Sequence, residues 1–425
     1  MLTVLLFSIF LVLMILRVPI AIALALSTVV VLFQTNFNMN MVPQRIFTAL
    51  DSFPLMAIPG FVLAGVMLAR GGISKYLIEA LRKWIGHIPG GLSIVTILSS
   101  MLFAAISGSS PATAAAIGSI MIPAMVSAGY DKKYAMGLVA ASGTLGILIP
   151  PSIPLIIYGI TSEVSIGKLF MAGILPGLML GSVLVGSAIY YARKYGYGRD
   201  QKSSMGVRMK ASLKAVWGAF LPILILGSIY TGAATPTESA VIAVVYALII
   251  SVFVYRELKW KDIRPILVES INITSMIFLI IGAASLFGLY LTNAQVPQAV
   301  GAWIAESDMN KWVFFIIVNL LFFVMGTFLE AVSIILITLP ILLPILKHLG
   351  IDLIHFAIVM TVNMELAMIT PPVGLNLFVV SGIAKEKLGA VVRGVFPFII
   401  LFIIVLALFV IFPQISLYLP DRMMQ

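Results

Sequence analysis

Residues 107–123 read SGSSPATAAAIGSIMIP and interrupt Leu-, Ile- and Met-rich segments with no charged residue to mark an aqueous loop. Ser107, Gly108, Ser109, Ser110, Pro111 and Thr113 fall together at the start of the stretch. A glycine frees the backbone, and a Ser-Pro pair is a helix start, with Ser110 as the N-cap and Pro111 as the first helical residue. One helix therefore ends here and another begins. What that break means depends on the solvent around it.

The composition decides the solvent. The chain has 425 residues, 61% hydrophobic and 10% charged, with a mean hydropathy of +1.15. Soluble domains carry about 25% charged residues. Apolar runs of about 20 residues recur along the chain, each long enough to cross a roughly 30 Å hydrocarbon core. Lipid offers backbone groups no partner, so such runs must be helices, and the alternating ten-residue strands of a membrane barrel are missing from the sequence. The expectation is an all-α polytopic protein. With no cysteine, disulfides, thiolate metal sites and cysteine nucleophiles are excluded. His87, His348 and His355 show no ligand spacing. The net charge of +10 reads as a basic cytoplasmic face rather than a nucleic-acid surface. MLTVLLFSIFLVLMILR at the start has no basic leader and reads as a first membrane helix, not a cleaved signal.

Lys and Arg orient the chain. The most basic segment, 193–214, is placed in the cytoplasm. Segments 213–231 and 237–256 then go out and back, 133–162 ascends and 168–193 descends. Both Arg70–Lys83 and Lys132-Lys133 lie inside, so 91–127 must enter and leave from the cytoplasm as a re-entrant hairpin tipped by the opening stretch. Further on, 266–292 ascends, 293–310 lies outside, and 312–347 is a second hairpin entering from outside, broken at 326-GTFLEAVS-333. Segment 352–384 descends and 389–417 ascends. At the start, 2–16 descends, 19–35 ascends and 52–70 descends. This threading puts all 26 basic residues inside except Arg45, Lys168, Lys311, Lys347 and Arg422.

A shift of 221 residues superposes Pro123 on Pro344, Gly129 on Gly350, Asp131 on Asp352, Pro150-Pro151 on Pro371-Pro372, Gly173 on Gly394 and Pro176 on Pro397. The copies start on opposite sides, and inverted repeats mark secondary transporters, whose ligands bind at mid-membrane breaks. Four breaks qualify: the two hairpin tips, 142-SGTLGILIPPSIP-154 and 369-ITPPVGLN-376. A Pro-Pro pair removes two donors and frees carbonyls upstream. Ser142, Thr144, Thr370 and Asn376 add neutral oxygens that suit Na⁺. The expected divisions are 1–87 (N-terminal scaffold and interfacial arm), 88–193 (first transport repeat), 194–309 (basic linker and scaffold) and 310–425 (second transport repeat).

SGSSPATAAAIGSIMIPAM, the IPPS break, GAATPTESA (232–240) and ITPPVGLN together resemble the large membrane subunit, of DctM or SiaM type, of TRAP (tripartite ATP-independent periplasmic) transporters. The resemblance runs over nearly the whole chain from RVPIAIAL (17–24). It implies an elevator-type transporter of the bacterial inner membrane that imports an organic acid anion on a Na⁺ gradient. C4-dicarboxylates and sialic acid are both family substrates, and overall likeness leans toward sialic acid. It implies a periplasmic substrate-binding protein (DctP/SiaP type) and a small four-helix membrane subunit (DctQ/SiaQ type), here expected as a separate chain. Ser107, Gly108, Ser109, Ser142, Gly143 and Thr144 would form a first Na⁺ site. Gly326, Thr327, Glu330, Thr370, Gly374 and Asn376 would form a second. Ser109, Ser110, Pro150, Ser152 and Asn376 would contact the anion. The helix with Lys75, Arg82, Lys83 and Trp84 would be an interfacial arm linking scaffold to hairpin.

Single residues leave alternatives open. Glu330 reads equally as support for an ion site or as a packing hydrogen bond, and Glu365 as a protonated or paired buried acid or a transport residue. At offset 221, Val332 stands for Pro111 and Glu330 for Ser109, so the tips differ in chemistry. Thr235-Pro236-Thr237-Glu238 fits a capping box. An intramembrane enzyme is disfavoured, because Ser109 has no nearby base and HExxH is missing. A channel would need a symmetric pore. The closer rival is a binding-protein-independent Na⁺-coupled or exchange anion transporter of the same superfamily.

Overall fold

The computed structural model describes residues 2–35, 37–197, 200–306 and 309–423, with the side chains of 303–305 outside the description. The described residues are helical with no strand. The first group is α1 (Leu2–Ile15), α2 (Ile20–Leu32), α3 (Met41–Leu50), α4 (Ala57–Arg70) and α5 (Ile73–Ile85). Then come α6 (Gly91–Ser107), α7 (Ser110–Ser127), α8 (Lys132–Thr144), α9 (Ile153–Ser162) and α10 (Ile166–Tyr195). After the basic linker follow α11 (Met205–Tyr230), α12 (Pro236–Ile249), α13 (Trp260–Asn293) and α14 (Val296–Glu306). The last group is α15 (Lys311–Gly326), α16 (Ala331–His348), α17 (Leu353–Met368), α18 (Leu375–Ala384), α19 (Leu388–Ile411) and α20 (Gln414–Met423). Eight spans among the described residues are long and apolar enough to cross a membrane.

The 221-residue offset carries into three dimensions. It maps α7 onto α16 residue for residue, and α6, α8, α9 and α10 onto α15, α17, α18 and α19 within a few residues. Each repeat is thus a helical hairpin, an interrupted helix and a long closing helix. Both Pro-Pro bonds are cis. The repeats interlock: α9 packs on α16, and α18 packs on α7. At the crossing of α8 and α19, a Cβ on Gly137 would overlap the Gly394 backbone, and one on Gly394 would overlap the Lys133 carbonyl. Around this core α13 packs against α2, α3 and α4, α4 against α12, and α11 against α5 and α12, forming a frame.

The structure adds two elements and divides one span. Segment 293–310 contains a helix, α14, which packs Val296 and Val300 against the core. Helix α3 stands where no element was expected, with Ile46 against Gly282 of α13. The span 389–417 is two helices: α19 ends before Phe412-Pro413, since a residue preceding proline is pushed out of the helical region. The capping box at Thr235 and Glu238 is formed, with Thr235 N–H donating to Glu238 Oε2 at 2.7 Å.

Candidate functional site between two hairpin tips

The first tip is a single turn. Gly108 adopts φ +59, which ends α6, and Ser109 is extended at φ −138. Helix α7 starts at Ser110, so the N-cap is Ser109 rather than Ser110, and Pro111 takes the second position. The shift costs nothing at Pro111, whose missing N–H is tolerated throughout the first turn. Ser109 makes no side-chain cap. Its carbonyl instead accepts from Thr113 Oγ1 at 2.8 Å, and Thr113 Oγ1 lies 2.9 Å from Ser107 Oγ. Thr113 is a tip residue that the sequence reading left out of the site, although its i+4 spacing from Ser109 was the available signal.

The interrupted helix lies directly behind this tip. A Cβ on Gly146 would come within 2.5 Å of the Ser109 carbonyl, and one on Gly108 within 2.7 Å of the Pro151 carbonyl. A Cβ on Gly143 would meet Ala114 at 2.7 Å. Ser142 Oγ accepts from Ser100 Oγ at 3.1 Å, and Thr144 Oγ1 donates to Ala141 O at 2.8 Å. The six residues assigned to a first ion site are therefore brought to one place, at the contact of tip and break. All are buried except half-buried Ser109.

The second tip is built alike with other side chains. Helix α15 ends at Gly326, where any Cβ would meet Ala367 at 2.5 Å, and α16 begins at Ala331 with Glu330 as an extended N-cap. Gly374, at φ +53, donates its N–H to Thr327 O at 3.2 Å and so ties this tip to the second break. Thr327 Oγ1 and Thr370 Oγ1 each donate one turn back, to Val324 O and Leu366 O. Asn363, offset by 221 from Ser142, donates to Asn319 Oδ1 at 2.8 Å. Glu365, offset from Thr144, is fully buried, and neither carboxyl oxygen has a hydrogen-bond partner.

Asn376 joins the two repeats. It sits on α18 of the second, yet its Nδ2 donates to Ser110 Oγ at 2.8 Å and Ala140 O at 3.1 Å in the first. Its Oδ1 is buried without a partner. The structure thus places the Asn376 amide against the first tip, two residues on from Gly374, which is tied to the second.

A cavity of about 410 Å³ has both tips in its wall: Ser107–Ala112 on one side and Glu330–Val332 on another. Its remaining wall comes from α4, α13 and the start of α5, including Arg70 and Glu269, with more of α7, Ile147, Ile153, Pro154 and Met368 completing it. The N-terminal turns of α7 and α16 both reach this space, and such turns carry N–H groups without intrahelical acceptors and a partial positive charge. Of the residues expected to contact an anion, Ser109 and Ser110 line the cavity, whereas Pro150, Ser152 and Asn376 lie buried behind the tip, outside its wall. The Ser152 hydroxyl is used internally, on Ile147 O, and it caps α9 at Leu155 N. Among the described residues no group of three His, Asp or Glu could hold a transition metal.

Residues 7–415 match the family described as "Tripartite ATP-independent periplasmic transporter, DctM component". The chain belongs to the DctM family. It is 44% identical over 377 residues to the C4-dicarboxylate TRAP transporter large permease protein DctM of Pseudomonas aeruginosa, covering 89% of this chain and 88% of the relative. It is 36% identical over 383 residues to the sialic acid TRAP transporter large permease protein SiaM of Vibrio cholerae, covering 90% of each. Among solved structures it resembles the YdaH transporter of Alcanivorax borkumensis, with a TM-score of 0.62 at 14% identity, over 90% of this chain and 88% of that one. The fold is shared at a distance where little sequence is. This DctM-family chain is a multi-pass membrane transporter subunit and not an enzyme.

Proposed function

We propose that this chain is the large permease of a Na⁺-driven importer of an organic acid anion, with the anion bound between the two hairpin tips. The observation that carries the reading is the single cavity bordered by the starts of both α7 and α16, which offers two half-helix N-termini to one negative group. The higher identity to a C4-dicarboxylate permease than to a sialic acid permease directs the first trial to dicarboxylates. Na⁺ would bind behind each tip, where tip and break meet. Neutral oxygens supply the chemistry a hard monovalent cation needs, and the buried, unpartnered Asn376 Oδ1 is one available ligand at the first tip. The hairpins re-enter the membrane from opposite sides, the core of α6–α10 and α15–α20 moves as an elevator against the frame, and the basic loops face the cytoplasm of the inner membrane. A periplasmic binding protein delivers the anion, and a small membrane subunit braces the frame.

The test is uptake into proteoliposomes holding both membrane subunits, with labelled succinate or sialic acid and the binding protein outside. Uptake that needs both an inward Na⁺ gradient and the binding protein is expected. Uptake indifferent to Na⁺ removes the coupling, and uptake without the binding protein favours the exchange-type rival.

A further inference from the structure

Four charged side chains border the cavity: Glu330 at the second tip, Arg70 on α4, Lys75 on α5 and Glu269 on α13. Lys75 is engaged, with Glu257 Oε1 at 3.4 Å and the Tyr76 ring at 5.6 Å. Arg70 is held differently. Its Nε (3.0 Å) and Nη2 both donate to one oxygen, Oε2, of Glu269. The guanidinium fork is therefore not matched to the two oxygens of a carboxylate, the arrangement in which such pairs are strongest. Both side chains are nearly half exposed, at 45% and 44%, and an ion pair so placed contributes little net stability. Arg70 ends α4 and Glu269 lies on α13, two frame helices packed together, so the pair keeps its place beside whatever passes through the cavity.

We propose that Arg70 and Glu269 form an exchangeable anion latch at the cytoplasmic mouth of the cavity, resting on the transport reading above. A substrate carboxylate leaving the tips takes the Arg70 fork in bidentate fashion and displaces Glu269. Glu269 then competes for the same guanidinium and drives the anion off into the cytoplasm. Arg70 is thus a transient binding residue on the release path, and Glu269 sets how long it holds. A bracing pair would behave otherwise: losing either partner would have the same consequence.

The experiment uses proteoliposomes containing both membrane subunits, with binding protein and Na⁺ outside so that only outward-facing complexes are read. The probe is whichever of succinate and N-acetylneuraminic acid the unsubstituted complex transports. Unlabelled probe sealed in the lumen inhibits uptake by occupying the released state, and its half-inhibiting concentration is measured. Glu269→Gln frees Arg70 and lowers that concentration about tenfold, the worth of one hydrogen bond to a charged group. Arg70→Gln raises it by about the same factor, and Arg70→Lys, which keeps charge without the fork, falls between. Thermal unfolding of the purified complexes checks that each variant folds. Shifts in the same direction for both neutral variants, or no shift in either, overturn the latch. Failure of the unsubstituted complex to take up either probe overturns the transport reading itself, and the latch with it.

Discussion

At Asn376 one side chain holds two repeats together, and its truncation has two separable effects. Asn376→Ala leaves Ser110 Oγ and Ala140 O without their donor, which costs about 1–3 kcal/mol in a buried site. Thermal unfolding of the purified complex should register that loss. If Asn376 Oδ1 also serves the coupling ion, the Na⁺ concentration for half-maximal uptake rises as well, whereas an unchanged Na⁺ dependence confines the residue to packing. Gly146→Ala tests a neighbouring contact, that of the first break with the same tip. Its methyl group would lie 2.5 Å from the Ser109 carbonyl, and overpacking of this kind costs about 1–3 kcal/mol. The expected outcome is a folded complex with strongly reduced Na⁺-dependent uptake. Ser107, Ser109 and the Gly-Pro breaks stand out in the sequence because they punctuate apolar runs. Asn363 did not, because its importance lies in what faces it, and what Thr113 and Gly146 pack against could not be read from their position in a break.

At the scale of elements, α5 is clipped at both ends of its polar face. Tyr76 donates to Glu257 Oε1 at 3.1 Å, and Arg82 holds Asp200 of the linker, with Nη2 to Oδ1 at 3.0 Å. The Arg82 hydrogen bond, opposed by partial desolvation, holds the Asp200 carboxyl below its ordinary range. A carboxyl depressed on folding stabilises above its unfolded value, near 3.9, and the contribution disappears as pH falls through the lower folded value. Hydrogen exchange of the linker around 200–206, corrected for the intrinsic rate, should therefore stay level from pH 7 to about pH 4 and rise below it. Asp200→Asn should raise it already at neutral pH, by the ~1 kcal/mol or less of a partly exposed pair. The basic and apolar alternation of 73–85 marked this helix as interfacial, but nothing local to it named Asp200 or Glu257 as its partners. Helix existence was legible wherever an apolar run met Gly, Pro or Ser. Helices α3 and α14, short and only partly apolar, were not.

For the whole molecule, the interlocking of repeats predicts that the core behaves as one body against the frame. The chain has no cysteine, so Ala69→Cys on α4 and Ala116→Cys on α7, which share the cavity wall, give a clean pair for a bifunctional maleimide. Joining frame to core in this way should abolish uptake that the unreacted double variant retains, and undiminished uptake after cross-linking would remove the elevator. The amino-acid sequence by itself determined the solvent, the helical class, the four breaks and the 221-residue repeat, because these rest on composition and on residues that shape their own backbone. Only the tertiary structure decided that α18 closes on α7 and α9 on α16, that both tips meet in one cavity, and that Pro150, Ser152 and Asn376 lie behind its wall. Those facts depend on which faces pack across more than two hundred residues of chain, and apolar helix faces in a membrane protein are too alike in sequence to name their partners.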